Sequence, residues 1–157
     1  MKKQTLLLSL VALVAVLFTV SCGPKTKTCP INETNILGGY KGSHSILGGA
    51  YSFDDSLTVT DPTPGDNKVT IISQQLGVPM TGTFDGSSCG RVILDSVMIA
   101  SQTIQTVTLT NVRAGGFGII SGNKLHTVIN IKTGNAAIGA TNVPLGGQNL
   151  TGDFTKQ

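Results

Sequence analysis

Tryptophan is absent from this chain, and aromatic residues make up only 4% of it. Flat stacking platforms of the kind that hold sugars or bases are therefore hard to assemble. No basic stripe with interleaved aromatics is present to follow a nucleic acid. Charged residues are also scarce, at 12%. The chain holds 2 histidines and 3 cysteines, and nothing among them shows the short ligand spacing of a zinc site. A site made from the cysteines with His44 or His126 stays formally open but unsupported. Beyond the N-terminal segment, no window shows apolar residues at the 3.6-residue spacing of a helix. Helices are not expected there.

What is present begins with an address. Lys2 and Lys3 are followed by an apolar run from Leu6 to Val20, broken only by Ser9 and Thr19, and then by the small Ser21 before Cys22. A charged start, a short apolar middle and a small residue at a cut site form a secretory signal, expected to be helical over residues 1–21. The run falls short of the roughly 20 residues a helix needs to cross a bilayer, so a retained spanning anchor is the poorer reading. Thr19-Val20-Ser21-Cys22-Gly23 resembles the lipobox of bacterial lipoproteins, with Thr19 where that family usually carries Leu. The resemblance implies that the Cys22 thiol receives a diacylglyceryl group, that Cys22 becomes the new N-terminus, and that palmitate-type acyl chains hold the protein to a bilayer. Two or more chains anchor stably where one does not. Loss of Lys2 and Lys3 takes Lys+Arg from 11 to 9 against 8 acids, so the mature net charge is near +1.

With Cys22 modified, Cys29 and Cys89 remain in a compartment where disulfides persist, and a structural bridge between them is expected, two free thiols being the alternative. Such a bridge would close a loop of about 60 residues, stabilising on the order of 4 kcal/mol in the chain-entropy account. Residues 22–35, with two prolines and no periodicity, read as a flexible tether.

Residues 36–157 read as one antiparallel β domain. Phe53, Leu57 and Val59 alternate with Asp54, Ser56, Thr58 and Thr60, which places apolar groups on one face. Asp61 to Asn67 is dense in turn formers, and Val69 to Ile72 follows as the returning strand. Val78, Met80, Gly82 and Phe84 share a face of the next strand. Val92 to Ile99 is apolar on both faces, as a strand covered on both sides would be. Strands are also expected over 104–112, 117–120, 125–131, 138–143 and 150–155, with Ser121-Gly122-Asn123-Lys124 as a hairpin turn. The fold expected is an all-β up-and-down meander closing as a small barrel, with a β-sandwich as the alternative.

Tyr40-Lys41-Gly42-Ser43, Asp66-Asn67-Lys68-Val69, Ser121-Gly122-Asn123-Lys124-Leu125 and the closing Leu150-Thr151-Gly152-Asp153-Phe154-Thr155-Lys156 resemble the small calycin-like lipoproteins of Bacteroidetes. The resemblance spans most of residues 36–157, although the Gly-x-Trp signature of lipocalins is missing. It implies a barrel that often holds an apolar ligand. In the same lineage Asp55-Ser56-Leu57 and Asp95-Ser96-Val97 look like O-glycosylation sequons, with ordinary strand residues as the plainer reading. The group's surface-export signal is acidic, whereas Lys25 and Lys27 stand here, which implies the periplasmic face of the outer membrane or envelope.

Candidate chemistry is sparse. Gly86-Ser87-Ser88-Cys89-Gly90 matches the Gly-x-Ser-x-Gly string of hydrolase elbows, with Asp95 and His126 downstream, but such an elbow needs a strand-to-helix turn and the surroundings indicate a hairpin. Gly115-Gly116-Phe117-Gly118 with Gly122 has no helix after it to cradle a phosphate and reads as a flexible turn. Asp61, Asp66 and Asn67 could offer oxygens to calcium but break the EF-hand pattern. Asp54 and Asp55 are adjacent on a strand and cannot converge. His44 and His126 read as solvent-facing or hydrogen-bonded strand residues. The expectation is a non-enzymatic barrel without a cofactor, its partners the bilayer through Cys22 and either a small apolar ligand or an envelope protein. A structural interaction module is the alternative.

Overall fold

The computed structural model describes residues 33–85 and 90–157. A single helical turn, α1 (Glu33–Ile36), leads into nine strands: β1 (Gly38–Ile46), β2 (Tyr51–Thr60), β3 (Lys68–Ser73), β4 (Pro79–Phe84), β5 (Arg91–Ile104), β6 (Val107–Ser121), β7 (Lys124–Ile138), β8 (Thr141–Pro144) and β9 (Asn149–Lys156). Each of β1 to β7 pairs antiparallel with the next. β9 pairs with β7 on one side and with β1 on the other, which closes eight strands into a ring. The short β8 continues the far end of β7, from Ile138↔Thr141 to Asn135↔Pro144. The molecule is thus a closed up-and-down barrel with one extra strand, and the sandwich alternative falls away.

An eight-stranded ring has an interior just wide enough for side chains to fill, which the period-2 pattern supplies. In β2, Phe53, Asp55, Leu57 and Val59 are buried while Asp54 and Thr58 are exposed. Contributions from each of the eight ring strands, among them Tyr40, Ile71, Val92, Ile120, Leu125 and Phe154, build one core. The link from β8 to β9 stays on β7, because Gly147 donates to the Ile131 carbonyl at 2.8 Å and Ile131 donates to that of Gln148 at 2.9 Å. This puts Leu145, fully buried, inside the barrel. Ile36 caps the interior from the N-terminal side, its carbonyl accepting from Tyr40 Oη at 2.9 Å.

Several expectations change. The segment 104–112 is not one strand: Gln105, at φ 53°, and Thr106 turn the chain between β5 and β6. The segment 138–143 likewise contains a turn, with Gly139 at φ 60°. Gly115 to Gly118 lies inside β6 rather than in a flexible turn. A Cβ at Gly116 would run into the Val128 carbonyl of β7, so glycine there lets two strands approach closely. One helical turn, α1, does occur beyond the signal. Finally, Val92 to Ile99 is covered on one side only, since Ile93 is 47% and Met98 65% exposed.

Candidate functional site

Three regions of the barrel could carry function: a polar belt inside it, an apolar gap beside the belt, and an apolar strip on its outer wall.

The belt follows from parity. His44 shares the inward face of β1 with Tyr40 and Ile46, Asp55 that of β2 with Phe53 and Leu57, and Ser73 that of β3 with Val69 and Ile71. Asp55 Oδ2 accepts from Ser73 Oγ at 2.5 Å and lies 3.2 Å from His44 Nε2. Its Oδ1 accepts from the backbone N–H of Ser56 at 2.7 Å and of Gln75 at 3.0 Å. Ser73 Oγ in turn accepts from the Leu76 N–H at 2.9 Å. Burial works to raise the Asp55 pKa, but hydrogen bonds from His44, Ser73 and the Gln75 backbone outweigh it and hold the carboxyl below its ordinary value. His44 also packs between the rings of Phe53 and Phe154, with centroids 5.2 and 4.9 Å away. His44 is therefore buried and hydrogen-bonded, not solvent-facing.

A serine nucleophile needs its base beside it. Here the carboxylate stands between serine and histidine, and all three groups are buried. The belt is a clasp that ties β1, β2, β3 and the start of the β3–β4 connection together. On its far side, His44 Nδ1 and Thr127 Oγ1 are buried without a hydrogen-bond partner among the described residues. Both lean over Gly152, where a Cβ would sit 2.8 and 2.6 Å from them.

The apolar gap lies at the barrel end where the β5–β6 and β7–β8 turns are found. Met80, Ile99, Val107, Ile131 and Leu145 are among its lining, and its volume is about 40 Å³. Small-molecule sites usually offer ~300 Å³ or more. Side chains fill this interior, and an apolar gap of this size stays dry. A second depression of about 420 Å³, between Lys41, Asp54, Ser56 and Gln74, is open to solvent. Asp54 faces it while the Asp55 carboxyl turns inward, so the two acids do not converge.

On the outer wall, Ile93 of β5, Phe117 of β6 and Val128 of β7 lie in register as a row across three strands. Neither Phe117 nor Val128 joins the interior core. Ile119, 44% exposed, extends the row at Arg91, with which it is paired. The Arg91 guanidinium carbon lies 4.7 Å from the centre of the Phe117 ring.

The remaining candidates are dispersed. His126 Nδ1 lies 2.7 Å from Asp153 Oδ1 on the outer face. Asp95 is exposed at the bulge between Leu94 and Val97. It lies level with Gly115 and Asn130, whereas His126 lies level with Ile119 and Arg91. That offset is about 13 Å along the strands, so Asp95 and His126 cannot share a proton. Asp61 Oδ1 accepts from the Thr63 N–H at 3.0 Å and Asp66 Oδ1 from the Lys68 N–H at 2.8 Å, so both carboxylates serve their own turn. Among the described residues no three His, Cys, Asp or Glu gather closely enough for a metal ion. In the two sequon-like triplets, Asp55 is buried while Asp95 and Ser96 are exposed. Cys22, Cys29, Ser88 and Cys89 lie outside the described residues.

No protein-family model matches the chain, and no curated protein does. Among solved structures, the chain is similar to a redesigned beta barrel at 12% identity and a TM-score of 0.40, over 80% of this chain and 94% of that one. The barrel reading rests on the strand pairings themselves.

Proposed function

We propose that this chain is a membrane-anchored, non-enzymatic interaction module of the bacterial cell envelope, tethered by lipid on Cys22 and contacting a protein partner through the outer wall of β5, β6 and β7. The observation that carries the reading is the outward row Ile93, Phe117 and Val128 with Ile119 beside it. Contiguous apolar surface of this kind on a soluble domain marks contact sites. The lipobox-like segment supports the anchor, and the calycin-like strand ends support an envelope role.

A small apolar ligand is the second reading, favoured by a gap lined without exposed polar atoms. At about 40 Å³, that gap would accept a ligand only by displacing core side chains. Native mass spectrometry of protein purified from its own membrane tests it, and a tightly held hydrocarbon mass would restore it over the first.

The interaction reading is tested in cells by placing a photo-crosslinking amino acid at Val128, with Thr58 of β2 as the control on another part of the wall. The expected result is a protein adduct of defined mass from position 128 and none from 58. Equal labelling from both positions, or none from 128, rejects the reading.

A further inference from the structure

The occupant of this wall can be named, an inference that rests on the interaction reading above. We propose that it is a second copy of this chain, paired about a two-fold axis that runs along the Ile93–Phe117–Val128 row.

The charge pattern selects that partner. Along the outward face of β5 the order is Arg91, Ile93, Asp95, at two-residue steps of about 6.7 Å. Neither Arg91 nor Asp95 makes an ion pair among the described residues. A positive group, an apolar centre and a negative group in line are complementary to themselves when reversed. A two-fold contact requires this of any patch, because each residue meets the image of another residue on the same surface. With the axis across the strands at Ile93, Arg91 of one copy meets Asp95 of the other, and the reverse, while Ile93, Phe117 and Val128 meet their own images. An axis along β5 instead sets Arg91 against Arg91, so the charges also fix which two-fold is used.

The flanking residues agree. The same axis brings Ile119 of one copy over Gly115 of the other. Gly115 has no side chain, and the space one would fill is bounded by the Ser96 backbone at the β5 bulge. A protruding side chain thus meets backbone rather than a second side chain. The stacking of Arg91 on Phe117 holds the guanidinium over the patch before contact, which reduces the ordering cost of association. Two convex walls touch over only three strands, so the dimer belongs to the weak class of interfaces, and a shared bilayer would raise its population by concentrating both copies.

The test uses the full chain in its own membrane, with the photo-crosslinker at Val128 on the axis. The expected product is an adduct of twice the chain mass. Arg91→Asp or Asp95→Arg alone should lower its yield at least tenfold, and the double variant R91D/D95R should restore it to within about twofold. Circular dichroism and thermal melting of each purified variant show that the barrel is intact. If a charge swap unfolds the barrel, Ile93→Lys, at an exposed position, sets two ammonium groups against each other on the axis and should abolish the adduct. A folded single-swap variant that still forms the adduct overturns the proposal, as does a folded double variant that fails to restore it. An adduct with a different protein overturns the second copy while leaving the interaction reading intact, whereas no adduct from position 128 sinks both.

Discussion

The two sides of this barrel are held by different physics. Along β1, β2 and β3 the inward face carries a histidine and a hydroxyl that share one carboxylate. Along β5, β6 and β7 it is aliphatic apart from Thr127, and part of the outward face is apolar as well. Specific partners hold the first side, so removing one strands the others. Packing holds the second, where an inner substitution leaves a gap and an outer one leaves stability nearly untouched.

The largest effect should come from breaking the polar side. Asp55→Ala leaves His44 Nε2, Ser73 Oγ and the Gln75 N–H without their acceptor, and should cost about 4 kcal/mol in chemical denaturation. A loss below about 1 kcal/mol would show that the belt is not a clasp.

Acid sharpens the same contrast. The folded-state pKa of Asp55 is lowered from 3.8, so its contribution is fully present above that value and lost as pH falls through the depressed folded value. Denaturation midpoints of the wild-type protein should therefore drop between pH 6 and pH 2. Asp55→Asn should be less stable at pH 6 and show a shallower drop. Parallel drops in both proteins would remove Asp55 from the account.

The smallest effect belongs to the outer wall. Ile93→Thr, at a position 47% exposed, should change the unfolding free energy by less than about 0.5 kcal/mol. Combined with lost crosslinking from Val128, that result would separate contact from folding. A large destabilisation would mean that Ile93 serves the barrel itself.

The architecture could be read from alternation and turn chemistry where the two agreed, as in β2, β3 and the turn at Gly122 and Asn123. It was lost where a turn lacked the usual formers. Gln105 and Thr106 reverse the chain with no glycine, proline or asparagine, so 104–112 looked continuous. The error ran the other way at Gly115 and Gly116, which looked like punctuation but sit where β6 and β7 approach closely. Asp55 was legible in principle: it stands at the apolar parity between Phe53 and Leu57, a place where a carboxylate needs partners. What the sequence hid was their identity, because Ser73 and Gln75 belong to another strand and its loop. The outer strip escaped for a similar reason. Apolar residues on both faces of 92–99 suggest cover on both faces, and a single strand cannot say whether its second cover lies within the molecule or on another one.

The ring closes between β1 and β9, strands separated by most of the chain's length. Pairings so distant in sequence are slow to form, because a large loop must be ordered before any reward is collected. Until residues 149–156 arrive, β1 and the stretch 124–130 of β7 each present a bare edge. A polypeptide built this way completes its ring only when its last strand slots between β1 and β7, however early the hairpins before it have formed.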